Sequence, residues 1–190
     1  MIAREILAVC DQLGLDHIDL KCLPAMWHHH PEKIAPGVDA AIDTARSEGF
    51  RNIFVAYADC GTGGHLDEVC NRQGVERIAG PHCFSFYMGN DAFAEEADDL
   101  ITSFFMTDFL ARHFETFFVK PLGLDRHPEL RDMYFGNYEK LIYIAQTDDD
   151  ALDQSAEAAA RFLDLQYERR GVGYGDLSGA LREASDVATA

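Results

Sequence analysis

Basic residues are scarce in this chain of 190 residues: 16 Lys and Arg stand against 33 Asp and Glu, a formal charge of −17. A surface of that sign repels the nucleic-acid backbone and anionic membranes, both of which are held by clustered Lys and Arg, so no nucleic-acid partner is expected. Much of the acid falls in two stretches, 95–99 and 148–150, which read as solvated helix starts. Long apolar runs are missing, and so is the basic-then-apolar layout of a secretory leader. The expectation is a cytoplasmic protein with no membrane partner. The five cysteines are odd in number and lack a CxxC pair. In a cytosolic chain that pattern argues against a disulfide framework and towards metal binding, catalysis or buried packing. No internal repeat or low-complexity linker marks a boundary. A single domain over residues 1–179 is expected, with a frayed tail over 180–190.

What is present is ordinary in amount, with 47% hydrophobic and 26% charged residues, and it alternates. Helical spacing covers 4–12, 36–48, 65–73, 128–134 and 149–163, while 92–116 reads as one or two aromatic-rich helices. Apolar or β-branched runs predict strands over 17–23, 52–58, 75–79, 140–146 and 166–170. Strands alternating with helices predict an α/β fold of three layers, an open and mostly parallel sheet with helices on both faces, Rossmann-like or flavodoxin-like. The chain opens on a helix with no strand before it. Such a domain ordinarily starts with a strand, so a truncated start is expected.

Cys10 and Cys70 fall on the apolar faces of predicted helices and read as small buried hydrophobes. Cys22, Cys60 and Cys83 each come at or just after the end of a predicted strand, in "HIDLKC", "IFVAYADC" and "VERIAGPHC". Strand C-termini share one edge of a parallel sheet, where ligands bind. Histidines gather in the same loops: His28, His29 and His30 after Cys22, His65 after Cys60, His82 before Cys83. Thiolates with imidazoles suit zinc, cobalt or an iron–sulfur cluster. The predicted metal ligands are Cys22, Cys60 and Cys83, with His28 or His82 as candidates for the remaining position.

The stretch "YADCGTGGH" admits three readings. Amides of Gly61, Thr62, Gly63 and Gly64 at a helix start could cradle phosphate, although the P-loop lysine and the G-x-G-x-x-G spacing are missing. Cys60 near a helix N-terminus could be an activated thiol, with His65 or His82 as base and Asp59 orienting a histidine or capping the turn. A metal corner uses the same thiolate. Gln146 ends the strand "KLIYIAQ" and is a candidate for the pocket wall. The aromatic set Phe104, Phe105, Phe109, Phe114, Tyr134, Phe135 and Tyr138 reads first as core.

The stretches "CLPAMWHHHPEKI", "YADCGTGGHLDEV", "GPHCFSFYMG", "MTDFLARHF", "LGLDRHPELRDMYFGNY" and "YIAQTDD" resemble, in this order, the domain-of-unknown-function family numbered 1638. The resemblance implies recurring cysteines at Cys22, Cys60 and Cys83, with His82 as neighbour. It also implies an association with corrinoid-dependent methyltransferase systems. Similar proteins begin with a short strand ending in Ala-Cys-Gly, which this chain lacks; His28 or His65 would then complete the site, or a position stays open for substrate.

Three functions follow. The leading expectation is a zinc or iron–sulfur centre, acting on a small-molecule substrate or methyl group. The second is a non-catalytic accessory protein that delivers metal or corrinoid to a methyltransferase. The third is a metal-free thiol enzyme with Cys60 as nucleophile. Oligomeric state is not legible in the sequence.

Overall fold

The computed structural model describes residues 2–189, and side chains as far as residue 186. Its regular elements are, in chain order, α1 (Ala3–Leu13), α2 (Ile34–Ser47), β1 (Phe54–Val55), α3 (His65–Gln73), β2 (Glu76–Arg77), α4 (Cys83–Met88), α5 (Asn90–Glu95), β3 (Ser103–Thr107), α6 (Asp108–Arg112), α7 (Leu130–Phe135), β4 (Lys140–Ala145), α8 (Asp150–Leu163), β5 (Gln166–Gly171) and α9 (Leu177–Thr189). Short 3-10 turns cover Ala25–His29 and Pro31–Lys33, and a π-helical turn covers Glu115–Val119. This is an α/β layered fold, with two small parallel sheets flanked by helices. The chain divides into two compact units, one of residues 1–90 with 174–190 and one of residues 91–173. No helix among the described residues is long and apolar enough to cross a membrane.

In the first unit β1 pairs with β2, Phe54 opposite Glu76 and Val55 opposite Arg77. Its core is the apolar stripe of α2 (Ile34, Ala35, Val38, Ile42) packed with Val55 and with Leu66, Val69 and Cys70 of α3. Each fully buried aliphatic side chain there contributes about 2 kcal/mol of transfer free energy. Cys70 is therefore packing, and burial pushes its thiol up. Both α1 and α3 end on a left-handed glycine, Gly14 and Gly74. The 3-10 turn before α2 is fixed by one close approach. A Cβ on Gly37 would collide with the Trp27 ring, so only glycine lets that ring lie on α2.

One expectation for this unit is corrected. Residues 17–23 form no strand: Ile18 and Leu20 alternate with Asp19 and Lys21 as a strand would, but no residue of the segment is buried and it pairs with nothing as a ladder. Residues 180–189 belong to α9. Leu177, Leu181 and Ser185 recur at a helical spacing of four and are buried, with α9 packed on α1. The start of α9 is tied down by the Asp176 amide donating to the Phe86 carbonyl at 2.8 Å and by Asp176 Oδ2 accepting from the Asn90 amide at 2.8 Å.

In the second unit β4 is central, parallel to β3 and β5. Leu141, Ile142, Tyr143, Ile144 and Ala145 of β4 are all buried, the continuous apolar run expected of a strand covered on both faces. The helical reading of 92–116 is corrected here: Ser103–Thr107 is strand β3. Its aromatic and polar residues fit both periods over so short a run, and pairing with β4 decides it. Phe104 makes edge contacts with Phe118 and Phe135, ring centroids 5.1 and 5.2 Å apart. Tyr134 and Tyr138 are exposed and lie outside the core.

Candidate functional site

The parallel pairing of β1 and β2 carries on into the loops that follow them. The Ile78 amide donates to the Val55 carbonyl at 3.0 Å, the Asp59 amide to Gly80 at 3.3 Å and the Cys60 amide to Pro81 at 2.8 Å. Arg77, ending β2, holds its own loop by donating to the Ile78 and Gly80 carbonyls at 2.8 and 3.3 Å, and it pairs with Asp67 of α3 through two contacts of 2.6 and 3.0 Å. Gly80 sits at φ +115, and a Cβ there would meet the Asn90 side chain and lie 2.9 Å from Ser85 Oγ. The two loops are thereby zipped, and each ends in a cysteine.

Cys60 has φ 44, a left-handed conformation uncommon for a residue with a Cβ. Its turn is closed by Asp59. One carboxylate oxygen accepts from the Thr62 hydroxyl and, at 3.0 Å, from the Gly64 amide; the other accepts from the Gly63 amide at 3.3 Å. These bonds hold the Asp59 carboxyl below the usual carboxylate range, the Thr62 hydroxyl contributing most. Asp59 is thus a turn cap. The amides of Gly63 and Gly64 are aimed inward at that carboxylate, and the Thr62 amide donates to the Asp59 carbonyl at 3.0 Å. The cradle expected of Gly61, Thr62, Gly63 and Gly64 is filled by a side chain of its own loop.

On the facing loop, His82 is the N-cap of α4, its Nδ1 accepting from the Ser85 amide at 3.2 Å. That bond assigns the ring proton to Nε2, and burial lowers the pKa of the ring, keeping it neutral. The cap puts Cys83 at the first helical position. Cys60 and Cys83 line one small cavity together with His28. Hydrogen bonding from the Cys83 thiol, the largest influence, and from His28 and the Cys83 backbone amide outweighs burial and pulls the Cys60 thiol down to about 5. Cys83 moves the other way, raised by the bond it gives to Cys60 and by its own burial. The charge belongs on Cys60, which has three donors and partial exposure, whereas Cys83 is buried.

His28 comes from the turn that Trp27 anchors. Its ring lies against the Tyr57 hydroxyl, with both nitrogens 3.2–3.3 Å from that oxygen. Burial and the neighbouring thiols push Tyr57 upward, so it stays a neutral phenol. A cavity of about 40 Å³ opens beside these groups, lined by Cys60, Cys83, His28 and Tyr57 with the apolar Ile2, Ala56, Ala58 and Phe86.

The remaining predicted residues fall elsewhere. Cys22 is exposed, on the segment where no strand forms. His65 faces Glu68 at 3.4 Å and lines a wide, shallow groove with Asp39, Glu68 and Arg72, away from the small cavity. Gln146 belongs to the second unit, buried at the end of β4, with its side-chain oxygen accepting from the Asp108 amide at 2.8 Å and its nitrogen donating to the Ile144 carbonyl. Among the described residues no group of three or more His, Cys, Asp or Glu side chains is arranged to hold a metal ion. The donor types around Cys60 suit zinc, but the arrangement does not present three of them to one point. A four-thiolate cluster finds only two of the five cysteines together.

Sequence reasoning named Cys60, Cys83 and His28 but missed Tyr57. Tyr57 stood in the quoted stretch, three residues before Cys60.

The profile of the family described as a protein of unknown function, DUF1638, matches residues 22–181, most of the chain. The chain belongs to the DUF1638 family. No curated protein and no solved structure matches it. The matched region contains Cys22, Cys60, Cys83, His28 and His82, together with both strand-end loops.

Proposed function

We propose that this DUF1638 protein works through Cys60 as a thiolate that reacts with a small electrophile. The observation that supports it most is the convergence of Cys83, its backbone amide and His28 on the Cys60 sulfur beside a small cavity. A thiolate is the reactive form of cysteine, and hydrogen-bond donors at a helix start favour it. Cys60 is the nucleophile, His28 and Cys83 are donors to its charge, and Asp59 and His82 hold the two loops in place. His65 has no part in this scheme, because its ring faces Glu68 in the groove.

The test is the pH dependence of alkylation, with each labelled cysteine assigned by mass spectrometry. Cys60 labelling should follow a midpoint near 5, the value to which its donors bring it. A midpoint in the ordinary thiol range near 8.5 would overturn the proposal.

A second reading draws on the same donors. Two sulfurs and an imidazole are the ligand types of zinc, and Cys60 with Cys83 and His28 would supply them after a small rearrangement. Elemental analysis of the purified protein separates the two: stoichiometric zinc that leaves with a Cys60→Ala substitution and protects Cys60 from alkylation favours the metal reading. Rapid low-pH alkylation of untreated protein favours the thiolate.

A further inference from the structure

We propose that Cys60 and Cys83 form a reversible dithiol–disulfide couple that is closed by a small hydroperoxide, with Cys60 as the attacking sulfur and Cys83 as the resolving one. This rests on the reading of Cys60 as the reactive thiolate and adds a partner and an oxidant class to it. Cys60 and Cys83 come from different loops yet line the same small cavity, and the titration of each thiol is governed by the other. Those loops cannot drift apart freely, since Cys60 donates its amide to Pro81 at 2.8 Å and Asp59 to Gly80 at 3.3 Å. Cys60 is partly exposed and Cys83 is buried, so a reagent from solvent meets Cys60 first. Cys10 and Cys70 lie on the helices α1 and α3, and Cys22 is exposed on its own segment.

The cavity sets the size of the oxidant. At about 40 Å³, and lined by both sulfurs, it has room for one or two water-sized molecules. Hydrogen peroxide fits such a space. Tyr57 and His28 line the same space and carry the groups that can hydrogen-bond peroxide oxygens.

The chemistry balances without another reactant. The Cys60 thiolate attacks one peroxide oxygen; an S–O bond forms, the O–O bond breaks, and the departing hydroxide takes a proton and leaves as water. Cys60 is now a sulfenic acid. The Cys83 sulfur, losing its proton, attacks the Cys60 sulfur; the S–S bond forms, the S–O bond breaks, and a second water departs. Two thiols lose two electrons and one peroxide gains them. An external dithiol returns the couple to the reduced state by exchange.

The experiment treats the reduced full chain with stoichiometric hydrogen peroxide at neutral pH, caps remaining thiols, and maps peptides by mass spectrometry. The expected result is loss of two thiols per chain and a Cys60–Cys83 cross-linked peptide, reversed by dithiothreitol. Cys83→Ser should leave a sulfenic acid on Cys60 that dimedone captures, and Cys60→Ser should leave Cys83 reduced. Because Cys83 is buried and its replacement can unfold the loop, the cross-link in the unaltered chain decides the matter alone. Low-pH alkylation of Cys60 with no cross-link, or with Cys60 joined to Cys22, would overturn the couple while leaving the thiolate reading intact. Failure of Cys60 to alkylate at low pH would overturn both.

Discussion

Each unit carries an anion-forming group just past the end of a parallel strand, and the two are treated differently. In the second unit it is Asp108, first residue of α6. One carboxylate oxygen accepts from the Tyr143 hydroxyl at 2.7 Å and the Gln146 amide at 3.0 Å, and the other from the Thr147 hydroxyl at 2.6 Å. The residue is buried, and so are Tyr143 and Gln146. In the first unit it is Cys60, which also has three donors, but one of them is a second thiol and a cavity lies alongside. A hard carboxylate, buried and held by three donors, is a fastener. A soft, polarisable sulfur with an exchangeable neighbour and room for a reactant is a reagent. Both satisfy the rule that buried polar groups are hydrogen-bonded, so satisfaction alone does not separate structure from chemistry.

The comparison can be broken most forcefully at the carboxylate. Asp108→Ala leaves the Tyr143 and Thr147 hydroxyls and the Gln146 amide without their acceptor, and should lower unfolding free energy by about 3 kcal/mol, read by urea denaturation. The same variant should leave the pH midpoint of Cys60 alkylation where it was. Next in size is Gly37→Ala, whose Cβ would displace the Trp27 ring and with it the turn that carries His28. A loss of about 2 kcal/mol is expected in the same assay, with the alkylation midpoint raised.

The contrast sharpens through selectivity. At pH 5.5 Cys60 is mostly ionised while an unperturbed model thiol is about 0.1% thiolate; its lower intrinsic nucleophilicity removes much of that advantage, leaving a rate about 20-fold above that of a free cysteine peptide under the same conditions. At neutral pH the two should differ little, so equal rates there do not count against the assignment and a flat ratio across pH does. Smaller still is His28→Ala, which removes one donor and should raise the midpoint by about one pH unit, since a hydrogen bond to a charged group is worth about 1.5 kcal/mol. An unchanged midpoint would show that Cys83 and its amide suffice without His28.

How much of this was legible in the sequence depends on range. The elements whose signals are local came through: α3 covers His65–Gln73, α8 covers Asp150–Leu163, and β4 is a continuous apolar run. A segment whose state depends on a distant partner did not. Residues 103–107 are a strand because β4 lies beside them. The site followed the same rule. Cys60 and Cys83 were found from their place after strand-like runs, while Cys22 was grouped with them on the strength of a strand that does not form. The glycines of "GTGG" advertised free amides, and nothing in their spacing revealed that Asp59 takes them.

By itself the sequence determined the acidic surface, the alternation of helices and strands, the family, and which residue types could do chemistry. Those properties are carried by composition and by patterns a few residues long. Only the tertiary structure decided which of those residues meet. The contact between Cys60 and Cys83 depends on strand-to-strand register, on Arg77 and Gly80 shaping one loop and on Asp59 closing the other. The Arg77 and Asp59 bonds are short in range, but the register of β1 on β2 is not, and without it the two loops would not lie side by side.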